Sequence, residues 1–268
     1  MPSVSVLTVT HRPKLLNYCL KALEAQIFQD FELIVVDDLY GQRELPKTSF
    51  PILHLPPQEP KPYCCFSHAA NTGLTKASGE LVYFMNDAIY PDVGVLQRHW
   101  DIYKTFGPKI IISGPLIQTQ EEGILEGLIY TDERSASVRD LIRAGPQETD
   151  LPTMADGLFI VPGWRAVHWW WSGRNDSAPL LALRDVGGFE ELLDGHIGWQ
   201  DSDLGQRLML YGCQYLLDQL ARCWEFPHSV TNKPLDRPRH IHDDIGRALR
   251  AIHYLTGEYR SVRSLLRP

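Results

Sequence analysis

Val4 to Val9 is an apolar run rich in β-branched residues, the pattern of a buried strand; beyond Pro13, Leu16, Leu20, Leu23 and Ile27 recur at helical spacing. Phe31 to Val36 repeats the strand pattern and ends in Asp37-Asp38. After a proline-rich loop from Pro46 to Pro62, Ser67 is expected to cap a helix that stops at Gly79. Leu81 to Met85 reads as a third strand. Asp92 is then expected to cap a helix with the apolar face Val95, Leu96, His99, Trp100, Tyr103 and Phe106, ended by Gly107, before a strand at Ile110 to Ile112. Strands and helices alternating in this way predict βαβ crossovers and a mostly parallel sheet, with ligands at the carboxyl ends of the strands. Asp37-Asp38 and Asn86-Asp87 stand at two such ends.

The second half is less regular. It holds a polar stretch from Thr131 to Asp150, an apolar strand from Gly157 to Val161, an aromatic loop, and a helix cued by Ser202 and closed by Gly212. Asp243 or Asp244 is expected to cap a last helix that packs Ile245, Leu249, Ile252 and Leu255 on the body and ends at Gly257. No internal repeat is present.

Composition narrows the class. The 268 residues are 44% hydrophobic and 22% charged, which excludes collagen-like, coiled-coil and wholly disordered chains. The net charge of -7 offers nothing global to nucleic acid or an anionic membrane, although from Asp236 onward seven Arg outnumber four acidic residues. That basic tail reads as a solvated helical face or as a phosphate contact. Cys19, Cys64, Cys65, Cys213 and Cys223 form no CxxC pair, which fits a reducing compartment. No segment reaches the roughly 18 apolar residues of a membrane span, and the start carries no signal-peptide pattern, so a cytoplasmic protein is expected.

Three groups of residues carry candidate chemistry. Asp37-Asp38 can accept hydrogen bonds from a base or ribose, and the pair reads equally as turn chemistry. Asn86-Asp87 offers an oxygen ligand where a cation bridging phosphates would sit, or a turn residue. The segment Gly187 to Gly212 places Asp201 and Asp203 at the start of a helix, where backbone amides and the dipole hold a carboxylate ionised. Either acid reads as a base or as a cap, and Asp203, further in, suits the structural role. Trp164, Trp169, Trp170, Trp171 and Trp199 supply flat rings for stacking on sugars or bases, or for the core. His68, His99 and His196 have no second ligand at metal spacing and read as structural or rim residues.

The stretches VSVLTVTHRP, FELIVVDD, NTGLTKASGELVYFMND, GRNDSAPLLALRDVGGFEE and GWQDSDLGQRL, in this order, resemble the family 2 inverting glycosyltransferases of the GT-A fold over roughly residues 3 to 218. The resemblance implies an α/β chain of three parts: a Rossmann-like nucleotide-sugar half at 1–115, an acceptor-binding and catalytic half at 116–230, and a basic C-terminal tail with a helix at 231–268. It implies donor contacts from Thr8, Thr10, Arg12, Asp37, Asp38, Asn71, Asn86 and Asp87, with Asp38 on the base, and makes Asp201 the catalytic base. The acceptor side is expected to use Trp170, Trp171, Asn175, Trp199 and Gln200. A divalent cation, Mn²⁺ or Mg²⁺, would be held by Asp87 and His228. The chain departs from the family in having Asn-x-Ala at 86–88 for Asp-x-Asp, Gln200 for a glutamate and Ala70 for an arginine, which puts metal dependence in question. The expected partners are a nucleoside-diphosphate sugar, UDP-sugars foremost, and an acceptor hydroxyl of open class, a modified nucleobase being one option. The rival readings are an inert sugar-nucleotide or glycan binder and a nucleotidyltransferase. The latter needs a glycine-rich phosphate loop that Thr8 to Pro13 does not have.

Overall fold

The computed structural model describes residues 1–13, 15–58, 65–118, 153–155, 157–161, 171–226 and 235–266. The expected polar stretch 131–150, Cys64, Trp164, Trp169, Trp170 and His228 lie outside the described residues. The apolar runs become β1 (Val4–Thr10), β2 (Phe31–Asp37), β3 (Ile52–Leu55) and β4 (Leu81–Phe84), with β5 (Ile89–Pro91), β6 (Ile110–Ser113) and β7 (Leu116–Gln118) following. Next come β8 (Thr153–Ala155), β9 (Leu158–Ile160), β10 (Asp176–Pro179), β11 (Gln214–Asp218) and β12 (Cys223–Glu225). The helices are α1 (Leu16–Glu24), α2 (Phe66–Leu74), α3 (Val95–Phe106), α4 (Leu180–Asp185), α5 (Gln200–Leu210), α6 (Arg239–Thr256) and α7 (Val262–Leu266).

Nine strands form one sheet in the order β3-β2-β1-β4-β10-β6-β11-β9-β8. Only β10 and β9 run against the rest, so the sheet is mostly parallel in direction. Along the central strands side chains alternate between faces as the pleat requires. Val6, Leu33, Val35, Leu81 and Tyr83 pack with Leu16, Leu20 and Leu23 of α1 and Val95 and Leu96 of α3. Leu7, Ile34, Val36, Val82 and Phe84 face Leu74 of α2, Leu183 of α4, and Leu204 and Leu208 of α5. A smaller sheet, β5-β12-β7, adjoins the end of β4. No helix of the described residues is long and apolar enough to cross a membrane.

Several expected helix ends move. α2 stops at Leu74, and Ser67 lies within it; its first turn is capped by Asp194, whose carboxylate accepts the backbone N–H groups of Ser67 and His68 at 2.8 and 2.9 Å. Gly79 is instead needed where the chain crosses Ser5, since a Cβ there would lie 2.5 Å from the Ser5 nitrogen. Asp92 does not cap α3, which starts after Gly94; its side chain accepts Trp224 Nε1–H at 2.9 Å and pairs with Arg222. α6 begins before Asp243, and Gly257 closes it in the left-handed conformation, as its sequence suggests. Its inner face is His242, Gly246, Leu249 and His253, whereas Ile252 and Leu255 are 52% and 80% exposed. Of the expected apolar face, Leu249 is buried and Ile245 half-buried, while Ile252 and Leu255 turn outward, because the helix also meets the body through hydrogen bonds and one close glycine contact.

Candidate active site

Three strand ends meet at one rim. Thr10 closes β1, and its hydroxyl together with the Arg12 guanidinium takes up both carboxylate oxygens of Asp87, beyond the end of β4. Asp87 is fully buried. Asp37, also fully buried, binds Arg43 Nε at 3.2 Å and His54 Nε2 at 3.0 Å and accepts the Leu39 N–H. Arg43 in turn donates to the Arg12 carbonyl. Asp37 is therefore committed to holding the loop after β2. Asp38 is half-buried beside it, its amide donating to the Thr10 carbonyl. Thr8 is buried, and its hydroxyl has no partner among the described residues.

Asp201 stands in the first turn of α5, on the same rim. The link is β10: Asp176 pairs with Phe84, three residues before Asp87. Gly173, in the loop before β10, has φ +64°, and a Cβ there would lie 2.6 Å from Asp201 Oδ1. Only glycine lets this loop lie on the carboxyl group. The residue as a whole is half-buried, but Oδ1 is shielded from solvent and has no hydrogen-bond partner among the described residues. Burial, and then the charge of Asp176, push the Asp201 carboxyl up to about 8, with Arg174 opposing. Asp176 is the better supplied of the two: Ser113 and Ser172 hydroxyls and the Ser172 and Arg174 amides all donate to it. Its own carboxyl is raised by burial against those donors. Of the two acids, the one without donors holds its proton more tightly, because nothing stabilises its charged form.

Arg174 also donates to Glu225 of β12 at 2.6 Å, and the Phe226 amide donates to the Ala88 carbonyl at 2.9 Å. This ties the loop under Asp201 to the Asn86-Asp87-Ala88 turn. The residues expected on the acceptor side are otherwise engaged. Asn175 accepts from Tyr83 and donates to the Pro115 and Ala221 carbonyls; Gln200 donates to the carbonyls of Leu193 and His196. Trp171 is buried edge-on against Phe84. Trp199 packs on α6. Asn71 of α2 bonds Phe189 and Glu191, so it holds the framework. Asp203 belongs to a buried network: burial works to raise its carboxyl, but Arg207 and His253 more than offset this and leave it lowered. Arg207 also donates to the Val186 and Gly188 carbonyls. The single histidines are structural in these surroundings: His99 is buried against Ser177, and His196 stacks on His242. Asp176 and Arg43 went unread in the sequence; the acid within GRNDS was the signal for the first, and none marked the second.

The described residues do not fit a divalent cation. Both Asp87 oxygens are occupied, Ala88 has no side-chain donor, and Asn86 Oδ1 accepts the Ala88 amide at 2.8 Å. No group of three His, Cys, Asp or Glu among the described residues could hold a metal ion.

No protein-family model matches the chain, and no curated protein matches it in sequence. Among solved structures it is similar to S. aureus TarS, with a TM-score of 0.58 and 16% identity over 94% of this chain and 43% of that one. It is also similar to TarS 1-349 in complex with UDP, with a TM-score of 0.57 and 15% identity, and to TarS 1-349 alone, with a TM-score of 0.56 and 16% identity. Each of these covers 94% of this chain and 72% of the other. The chain thus spans less than half the length of the first of these structures. The fold is α/β of the GT-A type.

Proposed function

We propose that the protein is an inverting glycosyltransferase acting on a nucleoside-diphosphate sugar, with a UDP-sugar as the favoured donor. The observation that carries this reading is Asp201: a carboxyl with a shielded, unpartnered oxygen, on the rim where the β1, β2 and β4 ends converge. The GT-A fold and the UDP in the TarS 1-349 structure support a nucleotide donor, and in an open α/β sheet the carboxyl ends of the strands are where a ligand binds. Asp38 would accept from the base or ribose, and Thr8, Thr10 and Arg12 would line the loop beside the diphosphate. In the reaction the acceptor hydroxyl gives its proton to Asp201 as its oxygen bonds to the anomeric carbon. The bond from that carbon to the diphosphate breaks on the opposite face, and its electron pair leaves with the nucleotide. One displacement inverts the centre. Cationic side chains such as Arg12 would then balance the leaving-group charge.

Nucleotide release from UDP-, GDP- and dTDP-sugars, with and without acceptor hydroxyl compounds, tests this. Asp201→Asn should keep nucleotide binding and lower turnover by on the order of 10² to 10⁴, the usual worth of a positioned base. In the wild type kcat should climb with pH through about 8, since only the deprotonated carboxylate accepts a proton, and the variant should lose that limb. Asp203→Asn should instead lower stability, because it unpairs the buried Arg207. Undiminished turnover in Asp201→Asn would end the assignment. A second reading, a donor-binding protein without transfer, draws on Asn86 and Ala88; it predicts UDP binding with every donor left intact.

A further inference from the structure

Helix α6 lies against the N-terminus of α5, with Trp199 as its largest contact there. Trp199 precedes α5 and is the only non-glycine residue with positive φ, +72°, among the described residues. Such a backbone is strained in a residue with a side chain and persists only where its surroundings hold it. Here they do. The indole lies on Gly246 of α6, where a Cβ would come within 2.3 Å of Trp199 Cδ2 and 2.5 Å of Cγ. Its Nε1–H donates to Asp243 at 2.9 Å, and the Arg250 guanidinium lies 4.5 Å above the ring. The backbone leading into Trp199 is held by the same helix: Arg239 donates to the Ile197 carbonyl at 3.0 Å, and His242 Nε2 bonds the Gly198 carbonyl at 2.8 Å.

The Trp199 carbonyl accepts the Asp203 amide at 2.8 Å and so belongs to the first turn that carries Asp201. If the indole left its seat, residue 199 would relax toward negative φ and that turn would rotate. Gln200 and Asp203 anchor the backbone of that turn, but the Asp201 carboxyl has no hydrogen bond at Oδ1 among the described residues, and only the Gly173 contact touches that oxygen.

We infer that Trp199, Gly246 and Asp243 are positioning residues for Asp201, so that the C-terminal helix sets where that carboxyl group points. The inference rests on the base reading for its catalytic consequence but not for its geometry.

The test uses Gly246→Ala, which forces the ring off its seat, and Asp243→Ala, which removes the acceptor, with Asp243→Asn as the conservative variant that keeps an acceptor oxygen. Full-length protein labelled with ¹³C at the aspartate carboxyl is titrated by NMR, the Asp201 resonance being assigned by its loss in Asp201→Asn. Both disruptive variants should move the Asp201 midpoint downward by about one pH unit, a tenfold change in proton affinity, as the carboxyl group turns toward water. Asp243→Asn should stay within about 0.3 unit of wild type. UDP affinity measured by calorimetry should change less than about twofold, while kcat for donor turnover falls about tenfold or more. Gly246→Ala should not melt lower than wild type by more than the lost contact, since alanine favours a helix over glycine. A folded Gly246→Ala protein with an unmoved Asp201 titration overturns the inference, as does UDP affinity falling in step with kcat. The two proposals fail separately: active Asp201→Asn sinks the base reading, and an unshifted titration sinks the positioning.

Discussion

Asp201 links burial to pH with a definite sign. Its carboxyl sits near 8 in the folded chain against the ordinary 3.8. Between those values the folded protein keeps a proton that the unfolded chain has released, so stability falls as pH rises across that window and is flat above it. Asparagine does not titrate. The melting temperature of Asp201→Asn relative to wild type should therefore increase from pH 5 to about 8 and level off above it; a constant difference would show that the carboxyl is not raised. Arg12 is the counterpart at the other end of the rim. Arg12→Met would strand the buried Asp87 charge, and breaking a buried pair from one side costs about 3 to 5 kcal/mol. The denaturant midpoint should drop accordingly, with Arg12→Lys recovering part of the loss.

At the scale of elements, capping is done over long distances. α2 has no side-chain cap from its own neighbours and is closed by Asp194, contributed from the loop before α5. Asp194→Ala should cost about 1 to 2 kcal/mol, as lost caps do, and Asp194→Asn less; chemical denaturation distinguishes them. The strands were legible because a buried parallel strand must be an apolar run, and β1, β2 and β4 are such runs. Helix ends were less legible. Ser67, Asp92 and Asp243 are good capping residue types, but Ser67 lies inside α2 and the Asp92 and Asp243 side chains bond Trp224 and Trp199, because the neighbours that satisfy a helix end come from other parts of the chain.

For the molecule as a whole, the two ends of the rim are joined by Arg174 and Glu225, and Asp87, the expected cation ligand, is paired with Arg12 instead. Nucleotide binding should then be largely indifferent to metal: the UDP dissociation constant in EDTA should lie within about twofold of that in Mn²⁺, since one neutral Asn and one Ala cannot hold a hard cation. Tight Mn²⁺ binding to the nucleotide-free protein would refute this.

The order of apolar runs, acids and glycines determined the α/β architecture and put Asp37-Asp38, Asn86-Asp87 and Asp201 at strand and helix ends, because these patterns are local. Only the tertiary structure decided what each polar side chain does. It assigned Asp37 to Arg43, Asp87 to Arg12, and Asn175 and Gln200 to backbone carbonyls. It also left Asp201 with an oxygen unpaired among the described residues. A buried polar group must find partners wherever the fold brings them, and Arg12 and Asp87 lie 75 residues apart, a separation at which no local pattern in the chain can register them.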